Sequence, residues 1–69
     1  MIRSNLKEVM NNHNPNLSVR QLSEDIDHGF ETVRKMNNDA MKQYPKDLLD
    51  KLCKYFDCGI EDLIKFEKD

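Results

Sequence analysis

SVRQLSEDIDHGFETVRKMNN, residues Ser18 to Asn38, holds two runs of helical apolar spacing with a polar interruption between them. In the first run Val19, Leu22 and Ile26 fall at i, i+3 and i+7, on one helical face. Ser18 stands where a side chain caps the free backbone N–H groups, and Gln21, three residues on, is placed to reach back to the Ser18 N–H. Leu17 and Leu22 flank this box as a hydrophobic staple. Asp27, His28 and Gly29 then break the helix, because Asp tolerates left-handed backbone and Gly can cap the next helix. A second helix is expected from near Phe30, burying Val33 and Met36 and turning Glu31, Thr32, Arg34 and Lys35 outward. The two helices share one buried seam.

Outward from this pair the pattern stays helical. Leu6, Val9 and Met10 at i, i+3 and i+4 predict a first helix over about Asn5 to Asn12, capped by Ser4 or Asn5, with Ile2 extending the stripe. The run Asn11-Asn12-His13-Asn14-Pro15-Asn16 reads as a turn with a solvated His13. Asn37-Asn38-Asp39 ends the third helix where Gly is commoner. Met41 and Tyr44 in the following linker are expected to fold back on the core. Pro45 suits a first helical turn, and behind it Leu48, Leu49, Leu52, Cys53 and Phe56 make a wide apolar stripe. Asp57-Cys58-Gly59 breaks that helix, and Ile60, Leu63 and Ile64 predict a last one to about Phe66. No strand-like alternation stands out, so the expected fold is all-α, a five-helix bundle whose short helices depend on mutual burial.

Sixty-nine residues make one domain, 1–69, only marginally stable alone. No apolar run reaches membrane-spanning length and MIRSNLKEVM lacks a signal peptide's apolar segment, so a cytoplasmic location is expected. Cys53 and Cys58 have no nearby His or Cys to complete a zinc set and read as small apolar fillers, while His13 and His28 are isolated. No metal, cofactor or small-molecule ligand is implied. No nucleophile stands beside a base in a motif, and there is no Gly-rich phosphate loop, which argues against an enzyme.

The formal net charge is −2, an awkward value for a protein that binds a polyanion. Its distribution is uneven: from Arg34 to Lys54 six cations stand against three carboxylates, whereas from Tyr55 to Asp69 two stand against five. Such a molecule can still turn a basic side to a polyanion.

Ser18, Leu22, the small Ser23, Ile26, the turn at Asp27, and Val33 with Met36 together resemble the Cro and phage-repressor type of helix-turn-helix, the XRE-like regulators. Asn38, Leu49, Lys51-Leu52-Cys53 and Cys58 to Ile64 are similar to that family's later helices. The resemblance implies the lambda-repressor-like DNA-binding fold and a sequence-specific transcriptional regulator, of phage or mobile-element repressor type, whose third helix enters the major groove.

Carried over by position, it implies base-facing Phe30, Glu31, Thr32 and Lys35, with Arg34 close to a phosphate or base, and phosphate contacts from Ser18, Arg20, Asn38, Lys42 and Lys46. Phe30 has a second role open to it, completing the core, and Glu31 another, favouring the positive end of its helix. The resemblance also implies a homodimer on double-stranded DNA through the C-terminal helices, with Tyr55, Ile64 and Phe66 as its residues, the other role open to them being to close a monomeric core. The sequence departs from the family at Asp27, where Gly is usual, and at His28, where an apolar residue is common. Glu24, Asp25, Asp27 and Glu31 also crowd the turn with acid. That cluster motivates a rival reading, a protein-interaction module of antirepressor or antitoxin kind with little DNA affinity.

Overall fold

A computed structural model describes residues 1–68, and its elements follow the apolar stripes except at the two ends of the chain. In order they are β1 (Ile2–Ser4), α1 (Leu6–His13), α2 (Val19–Asp25), α3 (Phe30–Asn37), α4 (Lys46–Phe56), α5 (Ile60–Leu63) and β2 (Ile64–Phe66). Leu6, Met10, Leu22, Ile26, Val33, Met36, Leu48, Leu52 and Leu63 form one buried cluster to which every helix contributes. Val9, Leu17, Val19, Met41, Tyr44, Leu49 and Phe56 pack around it half-buried. The linker residues Met41 and Tyr44 thus do return to the core.

Two expectations are corrected. The fold is mostly helical but not all-α, because Ile2–Ser4 and Ile64–Phe66 pair antiparallel, Ile2 opposite Phe66 and Ser4 opposite Ile64. Ile2 therefore does not extend the α1 stripe, and α5 stops at Leu63 instead of reaching Phe66. Ile64 is β-branched and resists a further helical turn, while the chain's two ends lie close enough to pair. Three-residue strands contain too little alternation to be read locally. The second correction concerns His13, which is the last residue of α1 and not part of the turn; it is exposed, as expected, with its ring 5.1 Å from Phe56 and 5.6 Å from Tyr55, edge to face and tilted respectively.

Three helices end in the same way. Asp27, Asp39 and Asp57 adopt left-handed backbone with φ of 54°, 57° and 52°. Behind each, the next residue's N–H turns back to a carbonyl five residues earlier: His28 to Ser23, Ala40 to Lys35 and Cys58 to Cys53. This closes the helix carbonyls as a Schellman motif, with Asp in the place Gly usually fills. A carboxylate at the negative end of a helix is also unfavourable. The Asp39 carboxylate accepts from the Ser4 N–H and the Asp27 backbone carbonyl accepts from Lys51, whereas no side-chain bond or ion pair involves Asp57 among the described residues. Asp57→Gly should therefore stabilise the chain by about 0.5–1 kcal/mol, raising Tm a few degrees in a calorimetric scan.

Candidate nucleic-acid interface

The α2–α3 pair is built as the spacing requires. Ser18 caps α2, its Oγ accepting the Gln21 N–H at 3.0 Å. The reciprocal half of the box is not made: the Gln21 amide donates instead to Asp25 Oδ1 at 2.8 Å, one turn on along the helix. Ser23 is buried where α2 meets its neighbours and satisfies its hydroxyl by donating to the Arg20 carbonyl at 2.7 Å. Ile26 ends α2, Asp27 turns the chain left-handed, and Gly29 takes the N-cap position of α3 with φ −59°. Val33 and Met36 are wholly buried, which fixes the rotation of α3 about its axis.

That rotation leaves Glu31, Arg34, Lys35 and Asn38 exposed, with Phe30 and Thr32 half-exposed. Phe30 lies outside the packed core, so of its two candidate roles completing the core is the one not observed. Instead the Arg20 guanidinium sits over its ring, 4.7 Å from the centroid, joining α2 to the first turn of α3. Glu31 and Arg34, read from the sequence as separate contacts, pair with each other, Arg34 Nη2 to Glu31 Oε2 at 2.8 Å. The Arg34 hydrogen bond and charge hold the Glu31 carboxyl below the usual carboxylate range, and the same pair raises the Arg34 guanidinium. Glu31 is therefore ionised at neutral pH and stands on the same exposed face as Lys35.

The remaining candidates are more scattered. Ser18 and Arg20 lie at the start of α2 and Asn38 at the C-terminal cap of α3. Lys42 stands exposed in the linker and Lys46 exposed at the start of α4, and no hydrogen bond or ion pair ties either to α3 among the described residues. A shallow groove of about 690 Å³ runs from the start of α1 to the end of α3, lined among others by Arg3, Lys7, Asn38 and Asp39. Arg3 and Lys7 thus share the groove's wall with Asn38, which their place near the amino terminus gave no reason to expect.

Two further residues matter to the pair's geometry. Lys51 reaches from α4 to the turn, donating to the Asp27 carbonyl at 2.9 Å and lying 3.3 Å from His28 Nδ1. Tyr55 donates to Asp25 Oδ2 at 2.8 Å, and this bond, then burial, pushes its hydroxyl above the ordinary phenol range. The polar His28 thereby finds a partner where the family pattern is apolar, and Asp25 is engaged at the end of α2. Tyr55 is half-buried against the core and Asp25, so the structure does not offer it as an exposed dimer residue. No local sequence signal links either long-range tie to its target.

A family model for the Cro/C1-type HTH DNA-binding domain matches residues 5–69. No curated protein and no solved structure gives a significant match. No helix among the described residues is long and apolar enough to cross a membrane. With its buried α2–α3 seam, its turn at Asp27 and a match running over nearly its whole length, the chain belongs to the Cro/C1-type HTH DNA-binding domain family.

Proposed function

We propose that residues 1–69 act as a single cytoplasmic DNA-binding domain, a sequence-specific transcriptional regulator of phage or mobile-element repressor type. In this reading α2 and α3 form the helix-turn-helix, α3 enters the major groove of an operator, and no cofactor takes part. The observation that carries it is the exposed face of α3, Glu31, Arg34 and Lys35, held outward by the buried Val33 and Met36. Lys35 is suited to guanine O6 or N7, and Glu31 to cytosine N4. Thr32 serves as a lesser base contact. Phe30, clamped by Arg20, offers its ring edge to a thymine methyl while the guanidinium approaches a phosphate. Ser18, Asn38, Lys42 and Lys46 are positioning contacts to the backbone. A homodimer places two copies of α3 about 34 Å apart on a palindromic site.

The acidic turn serves selectivity in this account. Glu31 repels phosphate and occupies Arg34, so binding to arbitrary duplex is weak and a site offering cytosine N4 compensates the carboxylate. Glu31→Gln should accordingly tighten binding to random-sequence duplex several-fold, steepen its salt dependence by roughly one counterion as Arg34 is freed, and narrow the gap to the selected site.

The test is selection of bound fragments from a random DNA pool, followed by titration of the selected duplex at several salt concentrations. Enrichment of a palindromic sequence and affinity falling steeply with salt are the expected results. A pool with no enriched sequence and no binding at low salt would overturn the proposal. Capture of a basic protein partner with no DNA retained would favour an interaction module instead.

A further inference from the structure

The turn between α2 and α3 holds two residues that do not suit it by themselves. Asp27 adopts left-handed backbone with φ 54°, a conformation in which any Cβ crowds the following carbonyl and which only Gly takes freely. His28, the next residue, sets a polar ring half-buried beside the core, where an unpaired nitrogen is unfavourable. One side chain from another helix meets both. The Lys51 ammonium on α4 donates to the Asp27 carbonyl at 2.9 Å and lies 3.3 Å from His28 Nδ1. An ammonium can only donate, so Nδ1 is the acceptor and the ring's proton sits on Nε2.

This tie distinguishes the turn from the two built like it. Asp27, Asp39 and Asp57 share the left-handed backbone, yet among the described residues Asp27 alone has its carbonyl held by a side chain. No backbone N–H among them donates to that carbonyl, so Lys51 is what satisfies it. The turns at Asp39 and Asp57 lead into a linker and into the four-residue α5, whereas this one leads through His28 and Gly29 into α3. The Gly29 carbonyl accepts the Val33 N–H at 3.2 Å, so the turn also supplies the first hydrogen bond of α3. Val33 and Met36 fix the rotation of α3, but the place of its first turn, where Phe30 and Glu31 stand, depends on the chain that enters it. Lys51 is half-buried, unlike the exposed Lys35, Lys42 and Lys46, and its ammonium faces the turn.

We infer that Lys51 is a positioning residue for DNA recognition: it touches no DNA, and by holding the Asp27 carbonyl and the His28 ring it fixes the turn from which the first residues of α3 project into the groove. Its effect on binding rests on the proposed reading of α3, while its hold on the turn rests on the hydrogen bonds alone.

The tie also compensates for the residues it holds. Asp27→Gly removes the crowded Cβ and His28→Val removes the ring nitrogens, so a turn carrying both changes has less need of Lys51. The three side chains therefore act as one unit, and the cost of losing the lysine depends on the other two.

Titration of the selected duplex at several salt concentrations tests it, with Lys51→Met, which keeps an apolar stem and loses the donors, and Lys51→Arg, which keeps a donor. Each variant is measured where circular dichroism shows it folded. Lys51→Met should weaken binding about tenfold with an unchanged salt slope, because no phosphate contact is lost, and Lys51→Arg should stay within about threefold of wild type. In the Asp27→Gly/His28→Val background the same Lys51→Met change should weaken binding by less than about threefold. Unchanged affinity in the folded Lys51→Met chain, an equal loss in both backgrounds, or a salt slope lower by about one, which marks a direct phosphate contact, would each overturn the inference. Amide hydrogen exchange keeps the two readings apart: without DNA, Lys51→Met should speed exchange at His28 and Val33 about tenfold relative to the amides of α1. Faster exchange there in a chain that binds no duplex defeats the functional reading alone, whereas duplex binding with that exchange unmoved defeats this inference alone.

Discussion

Lys35→Ala is expected to weaken binding to the selected operator by about one to two orders of magnitude, the range for losing a good base contact. Lys35 is exposed on α3 and makes no ion pair among the described residues, so in the proposed complex its ammonium has no partner to leave before meeting a base. Thermal stability should change little, because the side chain is exposed. The loss should concentrate at one base-pair position: variant operators altered there bind the mutant and the wild type alike. Arg34→Ala should cost less, since Arg34 must first part from Glu31, and the same substitution leaves Glu31 uncompensated. A titration by fluorescence polarisation compares the two. Equal and small effects would mean that the exposed side of α3 is not what meets the bases.

Leu22→Ala carries the largest expected effect on stability. Leu22 is fully buried on α2, in the cluster with Val33 and Met36 of α3. Truncating a buried Leu costs about 2–5 kcal/mol, through lost transfer energy and the cavity left behind. A chain of this length holds only roughly 4–10 kcal/mol in all, so the variant should melt tens of degrees lower or populate the unfolded state at room temperature. Denaturation followed by circular dichroism reads this directly. DNA binding should fall with the folded fraction, and a duplex that stabilises the folded state should partly restore it.

What could be read in the chain without coordinates was what local spacing records. Val19, Leu22 and Ile26, then Val33 and Met36, gave both helices of the central pair because a 3.6-residue period survives in any window of that length. The Ser18 cap and the left-handed Asp27 were legible for the same reason, each being chemistry within a few residues. The strands were not legible, since Ile2–Ser4 and Ile64–Phe66 are too short for a two-residue period and are paired by sequence separations of about sixty residues. Long-range ties were equally silent: nothing near Lys51 marks it as the residue that holds the Asp27 carbonyl, and nothing near Tyr55 marks its bond to Asp25. At the site, the outward face of α3 followed from its buried positions, but the pairing of Glu31 with Arg34 and of Arg20 with Phe30 depended on side-chain conformations that a helical wheel does not record.

The acidic turn illustrates how local charge can mislead. Glu24, Asp25, Asp27 and Glu31 suggest a negative patch, yet Asp25 accepts from both Gln21 and Tyr55, and Glu31 is held by Arg34. Asp25 is thus turned to internal partners, whereas Glu31 is paired with Arg34 and still exposed. Asp27 presents its carbonyl to Lys51, so a cation stands beside that turn as well.

The most direct test of the central claim, that the exposed side of α3 is the surface that meets DNA, is a map of backbone amide NMR shifts as the selected duplex is titrated into the labelled chain. The account predicts the largest movements from Gly29 to Lys35, with smaller ones at Ser18 to Arg20 where α2 approaches the phosphates. Saturated binding with the amides of Gly29 to Lys35 unmoved, and the shifts gathered on another face, would contradict it.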